Sequence, residues 1–152
     1  MGTDDATDVT SRAARRTTLA LEALTAVGAV AGVQGFLVGA FDPLVDQLHD
    51  AWPVVAGRVL PAVALGAAVA LPQGLALVLG VRRHPRAADV GLVCGAALTA
   101  WVTLQLPLIG WGSPVQWVFA GVGVVQVAAA TAWRRHERRS RATEPSSAAS
   151  RA

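Results

Sequence analysis

The chain has 152 residues, 53% of them hydrophobic, with a formal net charge of +3 and a mean hydropathy of +0.47. That apolar share leaves little chain for a soluble domain, and a single cysteine, Cys94, excludes an intrachain disulfide and the metal patterns built on cysteine pairs. The basic balance does not indicate nucleic acid, because the arginines flank apolar runs and so belong with lipid headgroups and topology.

All 13 basic residues are arginine, and Ala, Val, Gly and Leu dominate the apolar runs, a bias expected of a GC-rich genome. Residues 1–16 are polar, with Asp4, Asp5 and Asp8 ahead of Arg12, Arg15 and Arg16, and are expected to form a disordered cytoplasmic tail. Residues 17–38 form the first of four runs of the length, about 20 residues, that crosses a hydrocarbon core. At 100° per residue, Gly28, Gly32, Gly35 and Gly39 fall within about 60° of one another. Such a groove predicts close backbone approach by a neighbouring helix.

Residues 39–58 are an outer loop holding a short amphipathic helix over about 43–52, started by Asp42 as N-cap and Pro43 at the first helical position. Leu44, Val45, Leu48 and Trp52 share one face, while Asp46, His49 and Asp50 share another. That acidic face has i, i+3, i+4 spacing suited to a divalent ion, but it is read as a solvated face and no metal site is assigned. Residues 59–81 are the second span, with Ala62, Gly66, Gln73 and Gly80 on one stripe and a kink expected at Pro72. Residues 82–89 are a cytoplasmic loop carrying Arg82, Arg83 and Arg86.

The third span, 90–110, carries Gly91, Gly95 and Gln105, and the tight outer turn 111–114 leads to the fourth span, 115–133. Residues 134–152 are a basic tail with Arg134, Arg135, Arg138 and Arg139. The expected fold is therefore an all-α membrane protein, four transmembrane helices arranged as two antiparallel hairpins. Apart from Arg58, the arginines flanking the spans lie at one end, so both termini are expected in the cytoplasm and the protein in the plasma membrane. A cleaved signal peptide is the competing account of the first run, but the run continues to Val38 and Glu22 interrupts it. Trp52, Trp111 and Trp117 are expected to mark the outer interface and Trp133 the inner one, while Trp101 sits mid-span and needs a packing partner.

Polar residues inside the spans carry the functional hypotheses. Glu22 lies five residues into the first span. It is either a proton or cation site, since intramembrane acids are costly and usually used, or a side chain that snorkels to Arg15, Arg16 or Arg82. Gln34, Gln73, Gln105 and Gln126 place one amide in each span. Gln34 and Gln105 read as interhelical contacts worth about 0.6–2 kcal/mol each. Gln73 and Gln126 share that reading but join Glu22 as candidates for a ligand or proton site. The arginine clusters set topology and could hold acidic headgroups. No reactive triad, phosphate-cradling loop or cofactor motif is present in the sequence.

Leu21-Glu22-Ala23-Leu24, Asp42-Pro43, Pro61, Trp101, Gln105, Ile109-Gly110, Ser113 and Gln116 together resemble a loose group of small four-span membrane proteins of high-GC Gram-positive bacteria. The resemblance covers about residues 18–133. That group has no assigned activity, so it implies nothing catalytic, only that Glu22 and Gln105 belong to a shared pattern. Two functions follow: a non-enzymatic helper working through helix packing, as a homo-oligomer or with a membrane-protein partner, or a small proton-coupled transporter using Glu22. An enzyme would have to rely on the exposed acids of the outer helix.

Overall fold

Lipid offers no water to the backbone, so a spanning segment has to satisfy its own N–H and C=O groups and becomes a helix. The computed structural model describes residues 3–109 and 114–143, and all its regular elements are helical. In chain order they are α1 (Thr3–Val38), α2 (Asp42–Ala51), α3 (Val59–Leu65), a π-helical turn (Gly66–Ala70), α4 (Leu71–Val81), α5 (Ala87–Ile109) and α6 (Pro114–Thr143). Among the described residues, four stretches are long and apolar enough to cross a bilayer: Arg12–Val38, Val59–Val81, Ala87–Leu104 and Gln116–Arg139. The chain has the build of a small multi-pass helical membrane protein.

The polar end ahead of the first span is helical where a disordered tail is expected, and the last helix runs on into the basic tail. The helix of the first span begins at Thr3, and that of the last continues to Thr143. Once a span has nucleated a helix, adding residues is cheap. Ala and Arg are good helix formers, and Asp4 and Asp5 sit in the first turn, where the helix dipole favours acids.

The second span is broken as its proline demands. Pro72 lacks an N–H, and its ring clashes with the carbonyl four residues back. The helix widens immediately before it, and the Leu71 N–H reaches the Gly66 carbonyl, one residue beyond α-helical reach.

Two helix ends share a chain reversal in which the last turn is closed by a residue with positive φ. At the end of α1, Gly39 holds φ 86°, with Gly39 N–H donating to Phe36 O and Ala40 N–H to Gly35 O. At the end of α4 the same position is Arg83, with φ 54° and bonds from Arg83 N–H to Gly80 O and His84 N–H to Leu79 O. A non-glycine residue there costs about 1–3 kcal/mol of backbone strain.

The amphipathic outer helix forms at Asp42–Ala51, but its start is not the expected cap. Phe41 is the N-cap, without a side-chain bond. Asp42 instead takes both Arg58 nitrogens, Nε at 2.7 Å and Nη2 at 2.6 Å, tying the start of α2 to the start of the second span. The sequence sets Arg58 apart as the arginine at the other end of the spans, and the fold gives it Asp42 as its partner.

Packing divides the bundle into layers. At the end that carries α2, Phe36, Val45 and Ala62 pack together, joining α1, α2 and α3. A second apolar layer joins Ala29, Val69, Leu98 and Val102, and Trp101 finds its partners there. At the basic end Trp133 packs on Ala87 and Ala88. Trp133 is 4% exposed, so it is a core residue and not the interfacial marker expected; Trp52 and Trp117 are half-exposed, as interface residues are. Trp111 lies outside the described residues.

Candidate functional site

Between the layer at Ala29 and the layer at Trp133 lies a polar one. Thr18, Glu22 and Thr25 recur at i, i+4 and i+7 on α1, one helical face, and all three are buried. Gln73 from α4 and Gln126 from α6 are buried with them. Small residues make this possible. A Cβ at Gly91 of α5 would stand 2.8 Å from Glu22 Oε1, and one at Gly80 of α4 would stand 3.7 Å from Oε2. The carboxyl therefore rests against two glycines, from α4 and α5.

Glu22 is 0% exposed, and neither carboxyl oxygen has a hydrogen-bond partner. The snorkelling alternative is not what the structure holds. The nearest cation along α1 with a bond in this region, Arg15, donates from Nη2 to Gly80 O at 2.9 Å. Thr18 returns its hydroxyl to Ala14 O at 3.0 Å, but Thr25 Oγ1, one turn beyond Glu22, has no partner. Three unpartnered oxygens thus lie on one face of α1 within one turn. Buried oxygens without donors are uncommon and costly, and an intramembrane carboxyl is the costliest of them.

Gln73 and Gln126 are explained without a ligand. Gln73 Nε2 donates to Gln126 Oε1 at 3.3 Å, and Gln126 Nε2 donates to Gln73 Oε1 at 3.0 Å and Gly91 O at 3.4 Å. This reciprocal amide pair clamps α4 to α6 and touches α5. Cys94 adds a weaker link, its thiol donating to Pro72 O at 3.5 Å, a carbonyl beside the π-helical turn. Gln126, read both as an interhelical contact and as a candidate for a ligand or proton site, closes the polar layer as an interhelical contact.

The other expected contacts divide differently. Gln34 was expected to bridge helices but is exposed on α1, because its position shares the outward face with Val27, Gly28 and Ala31. The Gln105 side chain and the turn at 110–113 lie outside the described residues. Gln116, at the start of the fourth span, is 8% exposed with both amide atoms unpartnered; the sequence assigns it a place in the resemblance but no role.

The glycines do not form one groove. Gly28 faces open space, whereas Gly32 meets Leu65 and Gly35 meets Phe41. Gly39 is a turn residue and Gly66 belongs to the π-helical turn. Among the described glycines, a neighbouring helix's backbone comes near at α5 and α6, where a Cβ at Gly95 would stand 3.1 Å from Val127 N and one at Gly123 3.1 Å from Thr99 N. Gly91 serves the Glu22 carboxyl. The sequence-level stripe on α1 failed because glycine spacing shows which face is thin, not which neighbour uses it.

The arginines also acquire specific partners. Arg134 pairs with Asp89, joining α6 to the first turn of α5. Arg16, Arg82, Arg135, Arg138 and Arg139 are exposed or partly so at the same end. His49 Nδ1 lies 3.1 Å from Val55 O, so the acidic face of α2 uses its histidine locally. Among the described residues no group of three His, Cys, Asp or Glu side chains is placed to hold a metal ion.

Comparison of the chain with protein-family models, curated proteins and solved structures finds no match.

Proposed function

We propose that the protein is a small multi-pass membrane protein that uses Glu22 as an intramembrane proton site, as a proton-coupled transporter or ion pathway does. The supporting observation is the fully buried carboxyl with two unpartnered oxygens, seated against Gly80 and Gly91. A structural glutamate would have taken up the arginines of α1, yet Arg15 serves a backbone carbonyl. A proton or small cation supplies the missing partner. Both termini are placed on the cytoplasmic side in this reading, since the arginine-rich joints share one end, and the membrane is the plasma membrane.

The test is an imposed pH gradient across vesicles containing the purified protein. Wild type is expected to dissipate the gradient faster than protein-free vesicles. Glu22→Gln keeps the shape, removes the ionisable group and is expected to return the rate to the protein-free level. Equal rates for the two proteins would remove the proposal.

A second reading, a helper subunit acting through helix packing, is favoured by one observation. Gln34 presents an amide without a partner on the outward face of α1, where lipid cannot satisfy it. An amide in that position is satisfied by another helix, from a second copy or from another membrane protein.

A further inference from the structure

The end of the bundle that carries the arginines also holds a cavity of about 400 Å³. Three separate segments reach it: Arg12, Arg15 and Arg16 from α1, Arg83 and His84 from the joint after α4, and Glu137 from α6. Four guanidinium groups against one carboxylate concentrate at the cavity a net positive charge as large as the +3 of the whole chain. Positioning distinguishes it from a diffuse basic surface. Arg15 is anchored by its bond to Gly80 O, and a guanidinium with five N–H donors retains others after that bond.

The joint after α4 is built to present its residues. Arg83 occupies the left-handed position that glycine would hold without strain, at φ 54°. His84 Nδ1 accepts the Arg86 backbone N–H at 3.3 Å, so a neutral ring carries its proton on Nε2 and retains one donor. Strained residues concentrate at ligand clamps. An arginine retained where glycine fits better is explained by what its side chain does.

We propose that this cavity binds a phosphate-bearing anion, the headgroup of an anionic phospholipid at the membrane surface. Planar guanidinium forks match phosphate oxygens two at a time. The volume lies in the range of small-molecule sites and exceeds what a phosphate alone fills, leaving room for its polar substituent. Arg12 and Arg139 bound the outermost candidate spans, so the cavity sits at the level where headgroups lie. Free inorganic phosphate offers the same chemistry from solution. The site is independent of the proton reading of Glu22.

The experiment is thermal unfolding of the full chain in neutral detergent at constant ionic strength, with short-chain phosphatidylglycerol, short-chain phosphatidylcholine or inorganic phosphate added. A ligand that binds only the folded state raises the melting temperature. Phosphatidylglycerol is expected to stabilise the wild type and phosphatidylcholine not. The variant Arg16→Gln/Arg83→Gly is expected to bind phosphatidylglycerol roughly tenfold or more weakly, since each removed charge weakens attraction to an anion. Glycine suits the backbone at 83, so this variant keeps the fold, and its unfolding without ligand confirms that. Arg135→Gln/Arg138→Gln removes the same charge from the exposed end of α6 and is expected to bind as wild type does. Stabilisation by inorganic phosphate equal to that by phosphatidylglycerol, and lost in the same variant, keeps the site but assigns it to soluble phosphate. Equal loss in both double variants, or no stabilisation by either anion, overturns the proposal.

Discussion

At the scale of single residues, the polar layer turns on who is paired. Gln73 and Gln126 satisfy each other, whereas Glu22 and Thr25 have no partner. Truncating one member of a buried hydrogen-bonded pair leaves the other unsatisfied, a loss of about 1–3 kcal/mol. Gln73→Leu and Gln126→Leu are each expected to destabilise the protein by about that amount. The double variant is expected to lose no more than either single one, because it leaves no stranded amide. Urea unfolding in detergent of the three variants checks this, and additive losses would show that the two amides act separately. Glu22 itself was visible in the sequence as the one acid in a span. Its lack of a partner was not, because arginines lie close along the chain and only the fold sends Arg15 to Gly80.

At the scale of elements, the ion pair between Asp42 and Arg58 fastens α2 to the second span. The arginine beside it holds the Asp42 carboxyl below its ordinary value of 3.8, and the same contact raises the Arg58 guanidinium. The pair therefore steadies the fold above about pH 4 and lets go as pH falls through the depressed Asp42 value. On the basic side its loss would begin only as pH rises through the raised Arg58 value. Acidification below pH 4 is expected to lower the protection factors of the α2 amides in the wild type, the intrinsic pH dependence of exchange being divided out, and to leave those of Asp42→Asn, already low at neutral pH, unchanged. Matching acid responses would exclude a role for the pair. The π-helical turn shows the same limit on reading from sequence. Pro72 announced a break, but a widened turn and a sharp bend have the same cause and only packing decides between them.

At the scale of the whole molecule, four spans were legible because hydrocarbon thickness and backbone satisfaction leave few alternatives. The order of packing was less so. Apolar faces in a bilayer are not distinguished by hydrophobicity, and small residues permit approach without naming the helix that approaches. Gln34 shows this plainly: its expected bridge does not form within the chain, and the amide faces outward with Val27, Gly28 and Ala31. If that face seats a second copy or another membrane helix, Gln34→Leu is expected to weaken association by about three- to thirtyfold, the range for one interhelical amide. Energy transfer between labelled copies in vesicles measures the first case, and cross-linking followed by detergent sizing the second. Unchanged association in both would leave the outward face to lipid alone.

Cys94 gives the molecule an inherent reporter. It is the sole thiol of the chain, and its sulfur is closed in against the Pro72 carbonyl, just past the widened turn of the second span. A small maleimide can reach it only if α4 and α5 part. The rate of its alkylation is therefore a clock for breathing of the bundle next to the Glu22 layer, readable without introducing any label site.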